Sequence, residues 1–363
     1  MNRQAGQLLV IGFEPQEMTS GLRALLEHVQ PAGVILFARN IATLQQTHQL
    51  LKECRASVPT PMFACVDMEG GKVDRLRGAL GPSPSAAEVF ATGDRRLFRK
   101  HGRVIGDACR AAGFNTDLAP VVDLGFAVSG KVMGSRVVSD EPAEVVRYAR
   151  EFVAGLRAAG VLGALKHFPG LGEASLDTHE KLPSVGKTLK KLWEEDILPY
   201  RALKNEAAMV LVGHAAYPSV TGGKTPASLS RKWITDVLRK RVGYRGLVIS
   251  DDLEMGGVLK AAAIEEAAVE FVRAGGDLCL VCHKEDAIVK CHEALIRETE
   301  RDRRFAEWAR VATRKVLAFK KRAKEMRRTA AAPTQAKVDK LSRMVWEFGE
   351  EVRLAGLERR ERG

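Results

Sequence analysis

Gly163-Ala164-Leu165-Lys166-His167-Phe168-Pro169-Gly170-Leu171-Gly172 is an apolar run that ends in a Lys-His pair and a Gly/Pro loop. A run this short and this apolar reads as a strand buried on both faces, with its polar end at a sheet edge. Working outward, seven more runs have the same form: Gln7–Phe13, Gly33–Ala38, Met62–Asp67, Asn115–Pro120, Ala208–His214, Leu247–Asp252 and Asp277–Val281. Helical patterns lie between them, among them Glu141–Ala159, Leu189–Asn205, Arg231–Val242 (with Ser230 as N-cap) and Ile264–Ala274, which Gly275-Gly276 closes. Eight strands in β-then-α order predict an α/β fold, a (β/α)8 TIM-type barrel; an open doubly wound sheet is the alternative.

Polar groups gather at the C-terminal ends of the runs: Arg39-Asn40, Asp67 with Glu69, Asp117 then Asp123, Lys166-His167, His214, Asp251-Asp252 and His283. In a barrel these ends open on one face, where active sites sit. Along a strand successive side chains alternate, so only one of Asp251 and Asp252 is expected to face the mouth. A carboxylate there can act as nucleophile, general base or metal ligand, or can simply cap the next helix. Asp177 and His179 sit two apart in the Gly/Pro loop after Lys166-His167. A carboxylate that holds one imidazole nitrogen leaves the other to exchange a proton near neutral pH; a solvated surface turn is the alternative. Asp67 can accept two hydroxyls, and Arg75 and Arg136 can each donate two parallel hydrogen bonds. Lys166 and His167 can anchor hydroxyls or an anion.

Composition narrows the classes. The chain has 363 residues, with 57 Lys/Arg against 45 Asp/Glu, a net charge of +12. The last 44 residues hold half of that surplus, 13 basic against 7 acidic. No basic stripe is interleaved with aromatics, so no nucleic-acid partner is expected. No apolar run approaches the length of a membrane span, no secretory leader is evident, and the six cysteines form no disulfide framework; a soluble, cytoplasmic protein is expected. Cys279 and Cys282 form a lone CxxC, read as core and strand end. There is no HExxH, phosphate loop, GxGxxG or GxSxG, so no metal and no cofactor is expected. Residues 1–328 are read as one catalytic barrel and 329–363 as a basic, helical C-terminal extension, in which Val338–Leu357 is amphipathic with Trp346 and Phe348.

These residues carry a family resemblance. Lys166-His167-Phe168-Pro169-Gly170-x-Gly172 with Asp177-Thr178-His179 is its strongest signature. Gly33-Val34-Ile35-Leu36-Phe37-Ala38-Arg39-Asn40, Asp67-x-Glu69-Gly70-Gly71, Asp117-Leu118-Ala119-Pro120-Val121-Val122-Asp123, Pro226-Ala227-Ser228-Leu229-Ser230 and Ser250-Asp251-Asp252-Leu253-x-Met255 support it. From Gln7 to Arg322 the chain resembles the bacterial β-N-acetylglucosaminidases of glycoside hydrolase family 3, of the cytoplasmic single-domain type that acts in cell-wall recycling. The resemblance implies Asp251 as nucleophile, His179 as acid/base with Asp177 as its partner, and Asp67, Arg75, Arg136, Lys166 and His167 as sugar-binding residues. It implies a retaining mechanism through a glycosyl–Asp251 intermediate, and a carbohydrate substrate, an N-acetylglucosamine-containing muropeptide. A phosphorylase, in which phosphate replaces water, and a non-catalytic wall-fragment binding protein are the competing readings. Four segments depart from the family pattern: Leu171 where His is frequent, Lys72 in place of Arg after Gly70-Gly71, Gly134-Ser135-Arg136-Val137-Val138 in place of a Gly-Asp-Arg-Ser-Phe-like loop, and Glu254 with Gly256-Gly257 after Asp251-Asp252. The sequence does not indicate whether the protein is a monomer or a homodimer.

Overall fold

A computed structural model describes residues 2–127, 130, 133–174, 182–327 and 330–362. In chain order the strands are β1 (Leu9–Ile11), β2 (Gly33–Leu36), β3 (Phe63–Val66), a short antiparallel pair β4 (Met68–Gly70) and β5 (Val73–Asp74), then β6 (Thr116–Asp117), β7 (Leu162–Phe168), β8 (Met209–Val212), β9 (Leu247–Asp252) and β10 (Leu278–Val281). All but β4 and β5 close into one parallel barrel, in the order β1-β2-β3-β6-β7-β8-β9-β10 and back to β1. The registers that seal it include Gly33 opposite Phe63, Asp117 opposite Gly163 and Leu9 opposite Cys279.

The strands read as unbroken apolar runs because both faces are covered. Phe63 and Cys65, Leu162 and Ala164, Met209 and Leu211, and Leu247 and Ile249 fill the barrel interior. Their neighbours Ala64 and Val66, Leu165, Val210 and Val212, and Val248 pack outward under the helices. The bottom is plugged by the helix Arg303–Arg322, whose Val316 and Phe319 join the interior cluster. Lys320 is buried beside them, its Nζ donating to Gln7 Oε1 at 2.8 Å and lying over the Phe63 ring. Burial pushes the Lys320 amine down to about 7.

Helix boundaries differ from the sequence pattern in two places. The pattern over 189–205 is two helices, Leu189–Glu194 and Leu198–Ala202. Pro199 stands in the first turn of the second, where its missing N–H is harmless, so the break leaves the apolar spacing intact. The helix Lys232–Val242 is of the wide π type, and the Ser230 carbonyl, not its side chain, receives the Trp233 and Ile234 N–H groups. At the end of the chain, Gln335–Arg362 is one helix that buries Leu341, Val345, Phe348 and Val352. It packs on the helices Arg77–Leu80, Ala86–Ala91 and Arg95–Ala112, and Phe348 stacks on His101 at 5.7 Å. Trp346 points away and is 66% exposed. Among the described residues, no helix is long and apolar enough to cross a membrane. All six cysteines are buried and free, Cys279 and Cys282 included.

Candidate active site

The C-terminal ends of the strands surround a cavity of about 370 Å³. Asp67, Arg75, Arg136, Lys166, His167 and Asp251 all line it. Asp177 and His179 lie outside the described residues; Ala174, just before them, lines the cavity. Within β7 and β9, pairs of chain neighbours share the lining against simple alternation: Lys166 with His167 and Asp251 with Asp252. Strand pairing is irregular at both places, between Leu165 and Phe168 of β7 and between Ile249 and Asp252 of β9, so each strand end turns two successive side chains inward.

One wall is a charge network. Lys166 Nζ lies 2.7 Å from Asp67 Oδ1 and 2.6 Å from Glu69 Oε1. Arg136 grips Glu69 with both arms, at 2.8 and 2.9 Å. Glu69 was legible only as a carboxylate at a strand end, and here it is the anchor of both cations. Burial opposes its charge, but Lys166 and Arg136 outweigh burial and hold the carboxyl well below the usual range. Burial likewise opposes the charge on Lys166, and Asp67 and Glu69 more than compensate it. The fork of Arg136 that the sequence offered to a ligand is thus engaged by Glu69, whereas Arg75 keeps a buried Nε with no partner among the described residues. The turn between β4 and β5 that places Arg75 needs positive φ at Gly70 (82°) and Gly71 (58°). Lys72, which follows them, is exposed and does not line the cavity.

A second wall rests on Asp123, which is buried. Its Oδ2 pairs with His167 Nδ1 at 2.7 Å and accepts the His167 backbone N–H at 3.1 Å; its Oδ1 accepts the Leu171 N–H at 2.7 Å. One carboxylate therefore sets the tautomer of His167, with Nδ1 as donor, and fixes the start of the following loop. The far side of that loop is tied by Lys187, which is buried and pairs with Asp196 at 2.7 Å, Glu195 at 2.9 Å and Glu173 at 3.5 Å. Glu173 and Lys187 stand on either side of residues 175–181, so the two stems are joined to each other.

The floor carries Asp251. Its Oδ1 accepts the Asp252 N–H at 2.9 Å. Burial raises its pKa, but His167, His214, that N–H and Lys166 together outweigh burial and hold the carboxyl below its ordinary value. It is ionised at neutral pH. Beside it, Asp252 pairs with His283 at 3.2 Å, and the His283 ring stacks on Phe37 at 5.5 Å. The bond to Asp252 raises the His283 pKa. Phe37 is the wall that charge-based reading missed; its signal was an aromatic at the end of an apolar run.

Other polar strand ends are structural. Asn40 donates to the carbonyls of Phe13, Glu14 and Pro15, and Arg39 to those of Phe13 and Cys282. Asp117 accepts the Met68 N–H at 2.9 Å, and burial raises its pKa far above the usual carboxylate range.

A closed parallel barrel with an ionised carboxylate on the floor of a cation-lined mouth defines a TIM-type barrel with the anatomy of an enzyme. Residues 1–313 match the glycosyl hydrolase family 3 N terminal domain. A Beta-hexosaminidase of Xanthomonas oryzae pv. oryzae is 37% identical over 285 residues, which cover 77% of this chain and 84% of that protein. One of Xanthomonas campestris pv. campestris is 38% identical over 77% of this chain and 85% of its own length. The solved glycoside hydrolase family 3 beta-N-acetylglucosaminidase of Paenibacillus sp. str. FPU-7 superposes with a TM-score of 0.89 at 30% identity, over 96% of this chain and 68% of that one. The Beta-N-acetylhexosaminidase of Beutenbergia cavernae DSM 12333 does so with a TM-score of 0.81 at 25% identity, over 87% and 97%. The chain belongs to glycoside hydrolase family 3. It is a glycoside hydrolase, and carbohydrate is its substrate.

Proposed function

We propose that the protein is a retaining exo-β-N-acetylglucosaminidase that removes terminal β-linked N-acetylglucosamine. The observation that carries this reading is Asp251, an ionised carboxylate on the floor of a pocket sized for one sugar and lined by hydroxyl-binding groups. The similarity to proteins named as hexosaminidases supports the choice of sugar.

In the proposed cycle Asp67, Arg75 and His167 hold the sugar hydroxyls. Lys166, with two of its three N–H bonds directed at Asp67 and Glu69, orients Asp67 and retains one donor. Asp251 Oδ1 is engaged by the Asp252 N–H, which leaves Oδ2 to attack the anomeric carbon. The bond from that carbon to the leaving oxygen breaks, its electron pair stays on the oxygen, and His179 supplies the proton. Water then attacks the same carbon, His179 takes its proton, and the carbon–Oδ2 bond breaks. Asp177 holds the imidazole. A histidine in this role suits an anionic leaving group, because a carboxylate base would repel it after proton transfer. On this basis the substrate is a muropeptide fragment carrying a carboxylate, met in the cytoplasm.

The test is release of nitrophenol from the 4-nitrophenyl β-glycosides of N-acetylglucosamine and glucose, with and without phosphate. Hydrolysis of the N-acetylglucosamine compound alone, independent of phosphate, is expected. Formation of a sugar 1-phosphate would instead identify a phosphorylase, and no turnover of either sugar would return the protein to a binding role. Asp251→Ala is expected to abolish turnover; near-normal turnover would remove it as nucleophile. His179→Ala is expected to slow substrates with poor leaving groups by about 10²–10⁴-fold and activated aryl glycosides far less.

A further inference from the structure

The Pro226-Ala227-Ser228-Leu229-Ser230 segment does not line the cavity, and neither does His214. Both are nonetheless linked to its floor. Ala227–Leu229 forms a single tight turn, strapped to the chain after β8 by the Ala227 N–H on the Ala215 carbonyl at 2.8 Å. Ser228 and His214 are both completely buried. Ser228 Oγ lies 2.7 Å from His214 Nδ1, and His214 Nε2 lies 2.9 Å from the Asp252 carbonyl. The Asp252 N–H is the group that donates to Asp251 Oδ1.

The direction of each bond follows from chemistry. A carbonyl only accepts, so His214 Nε2 carries the hydrogen. Burial lowers the basicity of His214, so the ring is neutral and its Nδ1 is a lone pair that accepts the Ser228 hydroxyl. The hydroxyl therefore selects the tautomer, and the tautomer holds the carbonyl of the residue that follows the nucleophile. With Asp252 held at its C=O, its N–H stays aimed at Asp251.

We propose that His214 and Ser228 are positioning residues for Asp251, fixing the end of β9 so that the carboxylate stands in line for attack. The proposal rests on the reading of Asp251 as nucleophile. Neither residue touches the sugar. Their removal therefore affects the chemical step and spares binding.

Steady-state rates on 4-nitrophenyl β-N-acetylglucosaminide test it, together with the rate of covalent trapping by the 5-fluoro glycosyl fluoride of N-acetylglucosamine. Ser228→Ala is expected to lower kcat and the trapping rate by about 10–100-fold, the scale of a small misplacement of reacting groups, with KM changed less than about threefold. His214→Gln keeps a side-chain N–H within reach of the Asp252 carbonyl and should lose markedly less than His214→Leu. Equal losses in these two, an effect confined to KM, or unchanged trapping in Ser228→Ala would overturn the positioning role. Peptide mapping of the trapped wild type separates the two levels. An adduct on Asp251 with unaffected variants defeats the positioning alone. No adduct, or an adduct elsewhere, defeats the nucleophile and the positioning with it.

Discussion

Glu69 shows how a single buried carboxylate can govern a site that it does not complete alone. It neutralises Lys166 and Arg136 where water cannot. Removing one partner from such a group leaves uncompensated charge, at a cost of about 3–5 kcal/mol. Glu69→Gln should therefore lower stability by that order in chemical denaturation and raise KM, because Lys166 and Arg136 lose the support that aims Lys166 at Asp67. The pH dependence has a defined sign. A depressed carboxyl contributes stability that is present above its ordinary value of 4.5 and is lost as pH falls below it. The wild type should lose stability below about pH 4.5 more steeply than Glu69→Gln; parallel curves would sink the argument. Asp251, Lys166 and His167 were legible as strand-end groups because each follows an apolar run. The Glu69–Arg136 pair was not, because it joins positions 67 apart and exists only once the barrel closes. Likewise Asn40 and Arg39 have the same strand-end signature as the site residues, and only their carbonyl partners reveal that they serve the backbone.

At the level of elements, the apolar runs gave away the strands because a strand covered on both faces has no polar side to dilute the pattern. What they could not convey was irregularity in the pairing of β7 and β9, which brings Lys166 with His167 and Asp251 with Asp252 into one pocket. The loop after β7 has a physical device of the same rank. Lys187 links its two stems through Glu173, Glu195 and Asp196. Burial lifts the Asp196 carboxyl to about 6 even with Lys187 bound, so its charge depends on that partner. Lys187→Met should destabilise the fold by about 3–5 kcal/mol, while Lys187→Met combined with Asp196→Leu should recover most of it, since an apolar pair can replace a buried ion pair. If His179 works from this loop, both variants lose rate chiefly on poor leaving groups. Denaturant unfolding of the single and double variants, with rates on two leaving groups, decides it; a double variant no more stable than the single one would count against the clamp.

Over the whole molecule, the barrel is closed from two sides by the C-terminal third. The helix Arg303–Arg322 plugs the bottom and buries Lys320, an arrangement that disfavours the charged amine. Between about pH 7 and the ordinary lysine value of 10.5 the folded amine is neutral and the unfolded one charged, so stability rises with pH through this window. Relative to Lys320→Met, the wild type should gain stability as pH rises from 7 towards 10. The helix Gln335–Arg362 covers the side of the barrel, and we propose that it is a structural extension that is not part of the catalytic unit. Its amphipathic pattern was visible in the sequence. Its partner was not, since the surface it covers is assembled from three separate helices. Leu341, Val345, Phe348 and Val352 are buried, and burying each is worth about 1.5–3 kcal/mol, so the covered face contributes to the stability of the barrel. A chain ending at Pro333 should melt at a lower temperature and aggregate more readily through the uncovered face around His101, yet retain kcat on the nitrophenyl substrate below its melting point. A kcat that falls with folding intact would mean that the helix acts on the pocket, and an unchanged melting temperature would mean that its apolar face contributes nothing to the barrel.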